Sequence, residues 1–315
     1  MISKRRLIHL AGFILAAVAL VYFGQTFLRY WRQASDALLD TRALIGGSVS
    51  LGLGVAGYYL SAFAWIRICR ALGLSIAPKT AIHIYFVSQF GKYLPGNIAQ
   101  HAGRLAMGVR RKLPSSVIAT SQIIEILLII STLGALALVT GWSYLETLQI
   151  DVFNMRPAYV MAAIIFCLIL VLLAILAIRR FERLHRLYKM LFHCFSTREN
   201  LLSLLSAVAL IAGNAMAASL ALYTIMVAID GHHQSILMAC CVYTVSWLAG
   251  FITPGAPAGL GVREAAMLTL LSQTMAGIEA TAIILMFRLT TTLTDSLIFG
   301  IGVCLRPATQ PHINR

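Results

Sequence analysis

Two long apolar stretches of this chain are each interrupted by the same short polar phrase. Pro95-Gly96 is followed by Arg104, and Pro254-Gly255 is followed by Arg263. In both phrases the Arg stands nine residues after the Pro. Pro removes a backbone donor and Gly tolerates almost any backbone angle, so each phrase is expected to break a helix. A broken helix beside an Arg is tolerated in a membrane where it lines a protected cavity, and a pair of such segments indicates the binding site of a transporter.

The composition is that of a polytopic membrane protein. The chain has 315 residues, of which 59% are hydrophobic and 11% are charged, whereas a soluble domain carries about 25% charged residues. The net charge of +14 would suggest nucleic acid as the partner of a soluble protein. In a membrane protein it is explained by basic residues that remain on the cytoplasmic side. We therefore expect no nucleic-acid partner.

Apolar runs long enough to cross a bilayer, which requires roughly 20 residues, predict six membrane-spanning helices. The predicted spans are Leu7–Leu28, Ala43–Ile66, Ser115–Thr140, Ala158–Ile178, Leu201–Ile229 and Ala280–Cys304. The interrupted stretches, Thr80–Val109 and Ser235–Ala276, are each long enough for two half-length helices. We interpret each interrupted stretch as a re-entrant hairpin, with Pro95, Gly96, Pro254 and Gly255 as the hairpin-breaking residues.

The distribution of charge predicts how these segments thread the membrane. With the N-terminus in the cytoplasm, 17 of the 25 basic residues fall on the cytoplasmic side, as the positive-inside rule favours. Lys79 and the cluster 110–112 then place both ends of the first hairpin in the cytoplasm, and Asp230 and Glu279 place both ends of the second outside. Three spans separate the hairpins, so the hairpins should enter from opposite faces, as in an inverted-topology transporter repeat.

The predicted fold is therefore all-α, with about six full transmembrane helices and two re-entrant helical hairpins in an inverted repeat. The chain divides into an N-terminal helix with an exterior loop, a first repeat, a linking span with a basic cytoplasmic loop, a second repeat and a cytoplasmic tail. The corresponding segments are 1–42, 43–140, 141–200, 201–304 and 305–315. The expected location is the bacterial inner membrane, with both termini in the cytoplasm.

Ionisable side chains at membrane depth are functional candidates, because charge in the bilayer must face a cavity or a partner. Together with two neighbouring amides, they form a candidate substrate-binding set. The set is Lys92, Asn97, Gln100, His101, Arg104, Glu125, Arg263, Glu264, Arg288 and Asp295. The opposite-charge partners that the threading allows are Arg104 or Lys92 with Glu125, and Arg263 or Arg288 with Glu264 or Asp295. The alternative is that these residues form static ion pairs that only hold the broken helices together.

The chemistry of this set favours a phosphate group. A guanidinium stays charged and can bind two oxygens with fixed donors. Arg104 and Arg263 follow the breaks, near the start of a returning half-helix, where free N–H groups and the helix dipole favour an anion. No nucleophile or phosphate-loop motif is present, and the six Cys form no CxxC pair. We therefore expect no catalytic residue, metal or cofactor.

Two short motifs resemble those of a known family. Gly91-Lys-Tyr-Leu-Pro-Gly-Asn97, followed by Gly103-Arg104, and Pro257-Ala-Gly-Leu-Gly-Val-Arg-Glu264 are similar to the two signature regions of the lysylphosphatidylglycerol synthase transmembrane region. The resemblance covers roughly residues 43 to 304. It implies the flippase domain of the bacterial multiple-peptide-resistance factors, in which a separate cytoplasmic domain aminoacylates the lipid. Because this sequence, which ends at Arg315, contains no aminoacyltransferase domain, we expect a free-standing member of the family. Such a member would move lipid without aminoacyl transfer.

The functional hypothesis is a translocase for a phosphate-bearing phospholipid or a polyprenyl-linked lipid, and not an enzyme. Its expected partners are this lipid, the bilayer, and a second copy of the chain or an envelope-biosynthesis protein. One alternative is a membrane-embedded transferase with a lipid-linked donor, in which Glu125 or Glu264 would act as the base. Another is a non-transporting subunit of an envelope-assembly complex, in which the intramembrane charges would form permanent pairs.

Overall fold

The computed structural model describes residues 40–93, 99–147, 197–230, 235–253 and 257–306. Eight α-helices occur in this part of the chain: α1 (Thr41–Ala71), α2 (Pro78–Gln89), α3 (Ala99–Arg110), α4 (Ser115–Thr147), α5 (Arg198–Asp230), α6 (Ile236–Ile252), α7 (Val262–Leu271) and α8 (Gly277–Cys304). Short 3-10 turns occupy Phe90–Tyr93 and Pro257–Gly259. No strand occurs in the described segments, so the predicted all-α class is confirmed.

Four of these helices are long and apolar enough to cross a membrane. They are α1, α4, α5 and α8, with 31, 33, 33 and 28 residues. They contain four of the six predicted spans and extend several of them by a turn or more. The other two predicted spans, at 7–28 and 158–178, lie outside the described residues. Each described unit of the chain thus contains one long helix, two shorter helices and a second long helix.

The shorter helices form the two predicted hairpins. Helices α2 and α3 have 12 residues each, α6 has 17 and α7 has 10, all below the roughly 20 residues that cross a bilayer. The breaks between them, at 94–98 and 254–256, hold Pro95, Gly96, Pro254 and Gly255 and lie outside the described residues. Beside the first break, Gly91 lies so close to α3 that a Cβ atom there would be 2.6 Å from the Gln100 backbone nitrogen. The Gly of the first motif therefore allows the arms of the hairpin to approach.

The opening helices of the two units, α1 and α5, pack against each other in opposite directions. Near the start of α1, Gly46 meets Thr224 and Ala228 towards the end of α5; eleven residues later, Gly57 meets Asn214. Position along α5 therefore decreases as position along α1 increases. Small residues let the two backbones approach closely, as in other membrane helix pairs. The opposite directions of α1 and α5 are those of an inverted repeat.

Two hydrophobic clusters locate the hairpins at opposite ends of α1. The first cluster joins the start of α1 to the end of α4 and to both outer ends of the second hairpin. Its members include Ala43, Tyr144, Met226, Met238, Leu271 and Ala280. The second cluster joins the end of α1 to the start of α4, to α2 and to the end of α8, with members such as Trp65, Ile82, Ile118 and Ile298. Each hairpin therefore returns to the face from which it enters, and the two faces are opposite.

The two units, α1–α4 and α5–α8, also exchange contacts in a reciprocal way. The last span of the first unit, α4, packs against α6 of the second, and the last span of the second unit, α8, packs against α2 of the first. This reciprocal packing relates the two units by an approximate two-fold arrangement and encloses the space between the hairpins. The division of the chain at 42, 140, 200 and 304 stays a prediction.

Candidate functional site

A cavity of about 250 Å³ lies between the hairpins and the spans that enclose them. Nine of the ten predicted binding residues line it: Lys92, Gln100, His101, Arg104, Glu125, Arg263, Glu264, Arg288 and Asp295. The tenth, Asn97, lies outside the described residues. Residues 190 or more positions apart in the sequence thus meet in one polar space, and three ion pairs organise them.

The first ion pair joins α3 to α4 within the first unit. Arg104 is only 1% exposed and donates through Nη1 to the Glu125 carboxylate. Its guanidinium carbon lies 4.1 Å from the centre of the Tyr85 ring and 5.1 Å from that of Trp65. The Tyr85 hydroxyl donates a 2.8 Å hydrogen bond to the same carboxylate. Of the two predicted partners of Glu125, Arg104 is therefore confirmed and Lys92 is not. The carboxylate and the two aromatic rings enclose the Arg104 guanidinium on several sides.

The second ion pair joins α7 to α8 within the second unit. Arg288 Nε lies 3.3 Å from Glu264 Oε1, and the Arg288 side chain remains 27% exposed. The other carboxylate oxygen, Glu264 Oε2, accepts a 2.7 Å hydrogen bond from the Gly261 backbone at the start of α7. Glu264 thus both caps the returning half-helix and neutralises Arg288. In each unit the returning half-helix is tied to the last span by a charged pair.

The third ion pair crosses between the units and differs from the predicted pairing. Asp295 of α8 lies 2.7 Å from the Lys92 ammonium in the first hairpin, whereas the sequence allowed Glu125 as the partner of Lys92, and Glu264 or Asp295 as that of Arg263 or Arg288. The predicted alternative of Arg288 with Glu264 is confirmed. Asp295 as the partner of Arg263 or Arg288 is wrong, because α8 packs against the first unit and brings Asp295 to Lys92. The hydroxyls of Tyr58 and Tyr93 also donate to Asp295, and Lys92 donates to the Tyr58 oxygen at 2.8 Å.

Arg263 forms no ion pair with an acid among the described residues. Its guanidinium carbon lies 5.3 Å from the centre of the Trp247 ring, and its buried Nε has no hydrogen-bond partner. Gly250 and Gly259 flank the side chain, because a Cβ atom on either would lie 2.8 Å from Arg263 Nε. The Arg is therefore held in a slot made by two glycines and one indole face.

The helix-terminus part of the phosphate prediction needs a correction. Arg263 is the second residue of α7, but the carboxylate of Glu264 already accepts from the Gly261 N–H at that terminus. Arg104 is the sixth residue of α3, past the first turn in which free N–H groups occur. Of the two Arg residues, Arg263 therefore lies in the first turn of its half-helix, and Arg104 does not.

Neutral polar groups complete the end of the cavity that is nearest Arg104. His101 Nδ1 lies 2.9 Å from the Gln122 side-chain oxygen, and its Nε2 lies 3.2 Å from the Gln100 amide nitrogen. Since both partners are amides, His101 contributes hydrogen bonding to the described cavity without a neighbouring carboxylate as its direct partner. Gln122 was not among the residues predicted from the sequence.

The aromatic residues of the site were not predicted from the sequence. Tyr58, Tyr85 and Tyr93 each donate a hydroxyl to an acid of an ion pair, and Trp247 covers Arg263. One signal was available, since a Tyr hydroxyl at membrane depth requires a partner when it is buried. That signal does not specify which acid the hydroxyl meets.

The chain matches the model of one known protein family. The model of the family described as the lysylphosphatidylglycerol synthase TM region matches residues 9–298. The chain belongs to this family. Comparisons with curated proteins and with solved structures gave no match.

Family membership and the four spanning helices agree on the environment of the protein. It is a multi-pass membrane protein in a lipid bilayer, and its family indicates a lipid-related function. The resemblance that the two signature motifs carry is confirmed over nearly the whole chain. The cavity that these motifs border is consequently the candidate site for that function.

Proposed function

We propose that the protein is a lipid translocase, which moves a phosphate-bearing lipid headgroup through the cavity while the acyl chains stay in the bilayer. The observation that carries the proposal is the half-buried Arg263, which forms no ion pair with an acid among the described residues and lies in a cavity bordered by hairpins from opposite faces. A lone guanidinium at membrane depth requires a counter-charge, and a phosphate oxygen supplies one with suitable hydrogen-bonding geometry.

The arrangement of the ion pairs supports a rigid-unit mechanism. Arg104–Glu125 and Arg288–Glu264 each lie within one unit, whereas Lys92–Asp295 connects the two units. Movement of one unit against the other leaves the first two pairs intact and separates the third. In this mechanism Arg263 binds the phosphate, and the Lys92–Asp295 pair closes the cavity between transport events. Arg104 has a structural role, because its pair is buried against two aromatic rings.

The cargo leaves the cavity chemically unchanged in this proposal, so the protein is not an enzyme. The proposed location is the bacterial inner membrane, with Lys79 and Arg110 on the cytoplasmic side, as the basic residues favour. Single Cys substitutions at these exposed positions, compared with one at Gln273 beyond α7, test the orientation. A membrane-impermeant thiol reagent added outside the cell should label Gln273→Cys and leave Lys79→Cys and Arg110→Cys unlabelled.

Reconstituted vesicles provide the test of function. Phospholipids with a fluorophore on one acyl chain are placed in both leaflets, and a membrane-impermeant reductant then quenches the outer leaflet. Wild-type protein should carry the protected label outward, so that quenching proceeds beyond the outer leaflet. Arg263→Gln should slow this phase by about tenfold or more, since a hydrogen-bonded charged contact contributes roughly 1.5–3 kcal/mol.

The matched control is Arg67→Gln, which removes an exposed Arg at the end of α1. It should transport as the wild type does. Mass spectrometry of the transported lipid should find the starting compound. Wild-type vesicles that quench no faster than protein-free vesicles for any phospholipid tested would reject the translocase proposal, and a chemically altered lipid would favour the transferase alternative.

A further inference from the structure

Charge within the described cavity is unbalanced by one positive unit. Its lining contains four basic residues, Lys92, Arg104, Arg263 and Arg288, and three acids, Glu125, Glu264 and Asp295. Each acid is committed to one ion pair, so the unbalanced charge is located at Arg263. His101 hydrogen-bonds to amides and is counted as neutral.

We propose that the cavity selects a headgroup with one net negative charge, which is the chemistry of a phosphodiester lipid without an added amine. Such a headgroup neutralises Arg263 and leaves all three ion pairs in place. A charge at membrane depth without a partner is unfavourable, so a ligand gains electrostatic energy by neutralising the half-buried Arg263. This inference rests on the proposed role of the cavity as the lipid site and narrows its cargo.

A second negative charge would be opposed by the pair between α7 and α8. To bind it, Arg288 would have to leave Glu264, which is 5% exposed and has its other oxygen committed to the α7 cap. Loss of the pair would leave the buried Glu264 carboxylate without its cation, which is unfavourable. Phosphomonoester lipids, including phosphatidate and polyprenyl phosphates, are therefore expected to bind less well than phosphodiesters.

A zwitterionic or cationic headgroup is opposed for the converse reason. Its ammonium group finds no unpaired carboxylate in the described cavity, because Glu125, Glu264 and Asp295 are all paired. A headgroup with an added lysyl group would increase the positive charge around Arg263. The charge balance of this chain therefore favours phosphatidylglycerol over its lysyl derivative, although the family takes its description from the latter.

Binding and transport are measured on the same lipid series. Native mass spectrometry of protein in detergent micelles gives the relative occupancy of phosphatidylglycerol, phosphatidylcholine, phosphatidate and lysylphosphatidylglycerol. The vesicle assay gives their transport rates. Soluble glycerophosphoglycerol, which carries the same phosphodiester without acyl chains, is added as a competitor to distinguish recognition of a lipid from recognition of a free anion.

The wild type should prefer phosphatidylglycerol over the other three lipids by about tenfold in binding, the ratio that corresponds to roughly 1.4 kcal/mol. Arg263→Gln should remove this preference. Glu264→Gln should shift it towards phosphatidate, because it frees Arg288 while an amide oxygen can still cap α7. Arg67→Gln should keep the wild-type order, and glycerophosphoglycerol should compete weakly because it lacks the acyl chains.

Each result has a definite consequence. Equal binding of all four lipids by the wild type, or a preference that survives Arg263→Gln, would overturn the charge-selection inference even where transport occurs. Strong competition by glycerophosphoglycerol would identify a site for a soluble anion and overturn the assignment to a lipid. The predicted binding order without transport of any lipid would reject the translocase proposal and leave the charge selection of the cavity standing.

Discussion

At the scale of single residues, two glycines determine where the unpaired charge lies. Gly250 of α6 and Gly259 of the following turn leave room for the Arg263 side chain, whose Nε would be 2.8 Å from a Cβ atom on either. Gly259 also has a φ of +70°, which an L-residue with a side chain rarely adopts. The position of Arg263 is therefore fixed by residues that carry no charge themselves.

We predict that Gly250→Ala impairs transport without removing any charge. The added methyl group should displace Arg263 from its slot, because a flexible side chain yields more readily than a helix. The transport rate in vesicles should fall towards that of Arg263→Gln. The melting temperature should change little, because the higher helix propensity of Ala, about 1 kcal/mol over Gly, offsets the cost of moving the Arg263 side chain.

Gly300→Ala is the matched control for this prediction. A Cβ atom at Gly300 of α8 has no neighbour within 4 Å, so the substitution should leave transport unchanged. Wild-type transport by Gly250→Ala would mean that the position of Arg263 does not govern the rate.

The buried pair between Arg104 and Glu125 leads to a prediction about stability. Arg104→Met leaves Glu125, which is 3% exposed, without its cation, and should destabilise the protein by about 3–5 kcal/mol. The double variant Arg104→Met/Glu125→Gln should recover most of this loss, because the amide oxygen can still accept from Tyr85. Unfolding of the purified protein by titration with denaturing detergent measures both.

The double variant also tests the structural role that we propose for Arg104. It removes one basic and one acidic residue, so the unbalanced charge at Arg263 remains. Its lipid preference should therefore match that of the wild type. A stable double variant that no longer binds phosphatidylglycerol would instead make Arg104 a ligand of the phosphate.

At the scale of helices, the contact between α1 and α5 positions the two units against each other, because it joins them along their opening spans. At Gly46 a Cβ atom would lie 2.8 Å from the Ala228 methyl group and 2.9 Å from the Thr224 carbonyl oxygen. The Thr224 hydroxyl reaches the Gly46 carbonyl oxygen at 3.4 Å. Lipid exerts little hydrophobic force between helices, so such close backbone packing supplies much of the association energy.

We predict that Gly46→Ala destabilises the protein by about 1–3 kcal/mol, the usual effect of adding volume to a packed interface. Gly52→Ala on the same helix should be neutral or slightly stabilising, because a Cβ atom there meets nothing within 4 Å. Detergent-induced unfolding of the two variants under identical conditions makes the comparison. Equal stabilities would show that α1 and α5 have room to separate at this point without loss of folding energy.

At the scale of the whole molecule, the pair between Lys92 and Asp295 is the described ion pair that joins the two units. Two Tyr hydroxyls strengthen it, one from α1 and one from the first hairpin. A contact of this kind is compatible with a rigid assembly, and it is also suited to open and close when the units move. A cross-link that holds the Lys92–Asp295 contact closed distinguishes a permanent contact from one that opens during transport.

We predict that a reducible cross-link between Cys residues at 92 and 295 stops transport. The double substitution removes one positive and one negative charge, so the protein should still transport lipid before cross-linking. The background should have its six native Cys replaced by Ala. Treatment with a bifunctional methanethiosulfonate should reduce the vesicle transport rate to background, and a reductant should restore it; undiminished transport by the cross-linked protein would place the moving contact elsewhere.

The amino-acid sequence alone predicted which segments form long apolar helices and which form pairs of short helices. Lengths of apolar runs predicted the four spans that the structure describes, and the Pro-Gly phrases predicted two pairs of short helices between them. Ionisable residues at membrane depth identified all of the charged residues that line the described cavity, because charge in a bilayer must face a protected space. These inferences depend on hydropathy and local backbone chemistry, which are properties of the chain itself.

Tertiary packing decided which charges meet. Asp295 pairs with Lys92, 203 residues away, because α8 packs against the first unit, and no spacing along the chain specifies the distance between separate helices. The same packing leaves Arg263 without an ion pair in the part of the chain that the structure describes, although Glu264 is its immediate neighbour in sequence. Adjacent residues on a helix point in different directions, so Glu264 faces Arg288 and the N-terminus of α7, and Arg263 extends between two glycines.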